Sequence, residues 1–91
     1  MVVNNAQNET AVVIRRDGQT VVFVRLRAGK LACERITELA FRETWAESPH
    51  PLAETLDRFL EHGQLHGATQ EALRGLNKLR ERARLVVSGL F

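Results

Sequence analysis

The fold is decided by Ala11-Val12-Val13-Ile14-Arg15-Arg16-Asp17-Gly18-Gln19-Thr20-Val21-Val22-Phe23-Val24-Arg25-Leu26. Two runs rich in β-branched residues flank Asp17-Gly18, a dipeptide that favours the positive φ angles of a type I′ hairpin turn. With a two-residue turn, Arg16 faces Gln19, Ile14 faces Val21 and Val12 faces Phe23. A second turn at Ala28-Gly29 returns the chain through Leu31 to Ile36, setting Leu26 opposite Leu31 and Val24 opposite Cys33. The expected product is a three-stranded antiparallel β-meander.

That register sorts the side chains into two sets. One face carries Val13, Val22, Val24, Leu26, Leu31 and Cys33; the other carries Val12, Ile14, Val21, Phe23 and Ile36, interrupted by Arg16, Arg25, Arg27 and Glu34. A sheet with one wet face alternates cleanly between apolar and polar, and this one does not, so both faces call for cover.

Downstream, Thr37 is placed to cap a short helix over Glu38 to Trp45, with Ile36 and Phe41 as its hydrophobic staple; a continued strand is the competing reading. Pro51 suits the first position of a second helix running to about His62, ended by Gly63. Leu52, Leu56, Phe59 and Leu60 form its apolar face. Thr69 caps a third helix, with Ala72, Leu73, Leu76, Leu79, Ala83, Val86 and Val87 as its stripe and Arg74, Lys78 and Arg82 opposite. Leu85 to Phe91 suits a fraying helix end or a fourth strand. Upstream, residues 1–9 turn polar from Asn4 and are expected to be a flexible segment. The whole reads as an α+β chain, a three-stranded meander followed by two or three helices packed on the sheet, with residues 10–91 as a single domain.

Composition agrees with this. Of 91 residues, 44% are apolar and 26% charged, which excludes the profile of a disordered chain. The single cysteine allows no internal disulfide and fits a reducing compartment. No signal-peptide pattern and no run of about 18 apolar residues is present, so the expectation is a cytoplasmic protein without a membrane partner.

Candidate chemistry is thin. Cys33 falls on an apolar face, and nothing in the sequence brings His50, His62 or His66 to it. His62 and His66 have the spacing of two metal ligands on a helix, but Gly63 and Gly67 argue that the helix has ended and no third ligand is evident. Glu54, Asp57 and Glu61 share the polar side of the second helix, where carboxylates are commonplace and a catalytic pair would need burial. The glycines belong to hairpin turns rather than to a phosphate loop. The expectation is therefore a protein with no catalytic residue, no metal and no cofactor.

Charge is the informative feature. Residues 1–36 hold six Lys/Arg against three Asp/Glu, residues 37–69 two against six, and residues 70–91 five against two. An acidic middle between basic ends neutralises itself on folding or pairs between chains. Arg15, Arg16 and Arg35 gather at one end of the expected meander, Arg25, Arg27 and Lys30 at the other, and Arg74, Lys78 and Arg82 along the last helix. The leading expectation is a non-enzymatic interaction or regulatory protein, a homodimer meeting its mate through Val12, Ile14, Val21 and Phe23 or through the strand edge at 11–14. Arg74, Lys78, Arg82, Arg15, Arg16 and Arg35 are the expected partner-binding residues. The alternative is a small DNA- or RNA-binding regulator using the same cations. Against it, aromatic residues are few for base stacking, and residues 51–84 resemble a helix-turn-helix only loosely because the connection is long.

Overall fold

A computed structural model describes residues 1–66 and 70–89, with side-chain surroundings for 1–62 and 70–85. The chain runs β1 (Val2–Asn5), β2 (Thr10–Arg16), β3 (Thr20–Arg27), β4 (Lys30–Thr37), α1 (Glu38–Thr44), β5 (Trp45–Glu47), α2 (Leu52–His66) and α3 (Gln70–Gly89). The class is α+β as expected, but the sheet is larger than a meander: five antiparallel strands in the order β4-β3-β2-β1-β5.

The extra half comes from segments whose sequence signal is too short to read. Residues 1–9, expected to be a flexible leader, supply β1, which lies between β2 and β5 with Val2 and Val3 buried on opposite faces. The polar residues after it form a turn rather than a tail, because the Asn5 Oδ1 accepts from the backbone N–H groups of Gln7 and Glu9 at 3.1 and 2.9 Å. Trp45 to Glu47 then pairs with β1, from Val3↔Glu47 to Asn5↔Trp45.

The two hairpins divide the expected register. Between β3 and β4 it holds: Leu26 lies opposite Leu31 and Val24 opposite Cys33. Ala28 and Gly29 both have positive φ, 52° and 75°, so the type I′ turn sits there. Asp17-Gly18 makes a different turn. Asp17 keeps a negative φ while Gly18 reaches +91°, and the Asp17 Oδ1 accepts from the N–H groups of Gln19 and Thr20 at 2.9 and 2.8 Å. A three-residue loop replaces the two-residue one, and Val12 pairs with Val24 and Val13 with Phe23. One residue of slip moves a whole strand's side chains to the other face.

Both faces are apolar and both are covered within one chain. Val2, Val12, Val24 and Leu31 pack beneath Leu56, Phe59 and Leu60 of α2 and Ala72 and Leu76 of α3. On the other side Val3, Ala11, Val13, Val21 and Phe23 pack beneath Phe41 and Trp45, with the Phe23 ring 5.2 Å from Trp45 and 6.2 Å from Phe41. The four residues expected to form a dimer interface are therefore corrected: Val12 and Ile14 belong to the first face, Val21 and Phe23 to the second. Val12, Val21 and Phe23 are 0%, 0% and 1% exposed, and the edge at 11–14 is interior to the sheet.

The helices follow their caps. Thr37 Oγ1 accepts from the Ala40 N–H at 3.2 Å and Phe41 closes on the core beside Ile36, so α1 is helix and not continued strand. Pro51 precedes α2, which runs through Gly63 to His66 instead of stopping, since one interior glycine costs only about 1 kcal/mol relative to alanine. The cap expected at Thr69 lies outside the described residues. The α3 helix continues to Gly89, so 85–89 is helix and not a fourth strand; residues 90 and 91 lie outside the description. Among the described residues no helix is long and apolar enough to cross a membrane.

Candidate functional site

A β-bulge builds the sheet side of the site. The β2–β3 register shifts between Val13 and Arg15, after which Arg15 lies opposite Val22 and Arg16 opposite Val21. The extra residue re-aims the strand end. Arg15 joins Val22 on the face beneath the long helices, while Arg16 joins Val21 on the face beneath α1. Arg35 lies across Val22 on β4, so Arg15, Val22 and Arg35 form one row on the helix-covered face.

The helix side is one flank of α3. Glu71, Arg74, Gly75, Lys78, Leu79 and Arg82 recur at the three- and four-residue spacings that put side chains in line. At Gly75 the helix lies close against Ile14 of the sheet: a Cβ there would stand 2.8 Å from the Ile14 Cδ1 and 2.9 Å from its Cγ2. Beside this contact the helix flank and the sheet enclose a cleft of about 440 Å³, whose sheet wall is Ile14, Arg15, Val22 and Cys33. Four cations, Arg15, Arg74, Lys78 and Arg82, stand around it against one carboxylate, Glu71.

Of the nine cations elsewhere, five are held in internal pairs. The Arg16 guanidinium grips Glu38, its Nε 2.9 and 3.0 Å from the two carboxylate oxygens, and lies 5.2 Å from the centre of the Phe41 ring. Arg42 shares the same carboxylate at 3.2 Å. The hydrogen bond from Arg16, with the charges of Arg16 and Arg42, holds Glu38 below the usual carboxylate range. Arg25 pairs with Glu34 at 3.2 Å and Glu9 at 3.8 Å, Arg27 with Glu9 at 3.9 Å, and Arg80 with Asp57 at 2.9 Å. Among the described residues Arg15, Arg35, Arg74, Lys78 and Arg82 have no ion pair, and neither do Lys30, Arg58 and Arg84 away from the cleft. What sets the first group apart is that four of them converge on one concave surface and Arg35 stands beside it. Unmatched like charges around a concave, partly apolar surface focus a positive potential and attract anionic groups.

Of the six cations expected to bind a partner, four line the cleft, Arg35 stands next to it in the same row, and Arg16 is turned away into its pair with Glu38. Sequence reasoning placed the helix stripe opposite the apolar one; it lies instead on the flank facing the sheet. The apolar lining from Ile14, Val22, Cys33 and Leu79, together with Gly75 and Glu71, was missed. Gly75 was the available signal, since a glycine within a strong helical pattern often marks a close approach.

The cleft carries little reactive chemistry. Burial pushes the Cys33 thiol up, and the charges of Glu71 and Glu34 push it further, so it stays protonated near neutral pH. Among the described residues no three side chains of the metal-ligating types gather. Comparison of the chain with protein families, curated proteins and solved structures finds no match.

Proposed function

We propose that this is a non-enzymatic interaction protein whose cleft receives an acidic, amphipathic segment of a protein partner. The observation that carries the reading is the set of four cations, without an ion pair among the described residues, around an apolar floor. Carboxylates of such a segment meet Arg15, Arg74, Lys78 and Arg82, and its apolar side chains meet Ile14, Val22 and Leu79. Charge sets approach and orientation, and the desolvated floor supplies the hold. Cytoplasmic action belongs to the same reading, because the one thiol and the absence of a membrane-spanning helix among the described residues are compatible with it.

A second reading has the same cations neutralising the phosphates of DNA or RNA, and the row of Arg74, Lys78 and Arg82 one helical turn apart favours it. The aromatic residues favour the first. Phe23, Phe41, Trp45 and Phe59 are all buried, which leaves no exposed Phe or Trp among the described residues for bases to stack on.

Two labelled probes separate the readings: a Glu/Leu-rich peptide and a random-sequence duplex, each titrated by fluorescence anisotropy at several salt concentrations. The peptide should bind in the micromolar range, and the combined reversal Arg74→Glu, Lys78→Glu, Arg82→Glu should weaken it more than tenfold, above 1.4 kcal/mol, with far-ultraviolet circular dichroism unchanged. Tighter binding of the duplex, with affinity falling steeply in salt, would transfer the assignment to nucleic acid.

A further inference from the structure

Strand β4 is one edge of the sheet; it is eight residues long and pairs with β3 without a break from Thr20↔Thr37 to Arg27↔Lys30. The opposite edge, β5, has three residues. The two-residue turn at Ala28-Gly29 makes Arg27 and Lys30 a hydrogen-bonded pair. Alternation along an antiparallel ladder then turns the N–H and C=O groups of Leu31, Cys33 and Arg35 outward. Among the described residues no backbone hydrogen bond reaches them from that side. A long edge without proline or bulge is a template for another strand.

We propose that a second copy of this chain pairs there, β4 against β4 about a two-fold axis through Ala32, joining two five-stranded sheets into one. Charge selects this register. A two-fold axis perpendicular to the sheet pairs residues of equal parity, and with Ala32 on the axis Lys30 lies opposite Glu34 of the partner subunit, twice by symmetry. Leu31 lies opposite Cys33 of the partner subunit, and their outward backbone groups form the ladder bonds. Lys30 has no ion pair within its own chain among the described residues, and Glu34 already holds Arg25 at 3.2 Å, so the pairing places one carboxylate between two cations.

Neighbouring registers lose this match. An axis through Cys33 sets Leu31 against Arg35 and Lys30 against Ile36, and an axis through Glu34 brings two carboxylates face to face. Charges on an edge ordinarily deter pairing. Here opposite signs four residues apart deter wrong registers and fit one. The perpendicular axis leaves both clefts on the same face of the joined sheet, so a partner with two acidic segments gains by avidity. The pairing itself does not depend on what the cleft binds.

Sedimentation velocity of the full chain tests the proposal. The protein should be a dimer at tens of micromolar, Lys30→Glu should raise the dimer dissociation constant at least tenfold, and adding Glu34→Lys should restore it, with circular dichroism reporting the fold. In a Cys33→Ser background, Ala32→Cys should close a disulfide across the axis in a glutathione buffer, because facing residues of a non-hydrogen-bonded pair lie about 4.5 Å apart. Lys30→Cys in that background should stay unlinked. A monomer at 100 micromolar, or equal linking at both positions, overturns the proposal.

Discussion

The two faces of the sheet solve one problem in opposite ways. Each is too apolar to meet water, and each is closed by the chain's own helices. The α1 face is closed by a seven-residue helix and two aromatic rings, and its rim cations Arg16 and Arg42 are matched to Glu38. The other is closed by helices of 15 and 20 residues, which Arg80 and Asp57 tie together, yet the four cations around its cleft have no ion pair among the described residues. A cation answered within the fold serves the fold. The four left over around the cleft are the ones that the proposed partner would engage.

If the α1 face is purely structural, its aromatic cluster should carry more of the stability than any side chain at the cleft. Phe23→Ala removes the ring on which both Phe41 and Trp45 lean and should cost about 3–5 kcal/mol in urea unfolding. Leu79→Ala, at the half-buried cleft wall, should cost clearly less. Equal losses would erase the distinction between a closed face and an open one.

The same contrast separates what the sequence made legible from what it hid. The β3–β4 register was legible because Ala28-Gly29 takes the turn its spacing suggests. The β2 register was not, because the Asp17 carboxylate satisfies two backbone N–H groups and thereby favours a longer loop than the dipeptide alone implies. That one-residue slip scattered the expected interface over two faces. β1 and β5 were hidden for another reason: four- and three-residue strands gain their identity from pairing with each other, which no local pattern reports. For the site, the cations and their helical spacing were readable. Their convergence was not, since it depends on a bulge that sends Arg15 one way and Arg16 the other.

Gly75 tests how closely the cleft is set by the approach of helix and sheet. Replacing it with alanine has two opposed effects. Helix propensity gains roughly 0.8–1.0 kcal/mol, while the new Cβ presses on Ile14 at under 3 Å. Gly75→Ala alone should thus leave stability within about 1 kcal/mol of the parent. Combined with Ile14→Val, which removes the nearer of the two contacting carbons, it should be more stable than the sum of the single changes, a coupling of about 0.5 kcal/mol or more. Additivity would mean that α3 simply rides away from the sheet and that the cleft is not held by this contact.

The smallest expected effects lie in the pH dependence, where the two faces should differ in sign. Glu38 is held below the usual carboxylate value near 4.3, so its contribution is complete above that pH and is lost as pH falls through the lower folded value. Arg16→Gln should remove part of the acid limb; Asp17, lowered chiefly by the N–H groups of Thr20 and Gln19, supplies another part. Cys33 on the cleft face behaves in the opposite sense. Its raised thiol keeps the proton in the folded chain after the unfolded one has lost it, so stability falls as pH rises past the ordinary thiol value near 8.5. Cys33→Ser should flatten that alkaline limb and leave the acid limb alone, while Arg16→Gln should do the reverse. Urea midpoints measured from pH 3 to pH 10 on both variants would show it. A single variant that altered both limbs would mean that the two faces are coupled through the sheet, and that the division between matched and unmatched charge is not the one the molecule uses.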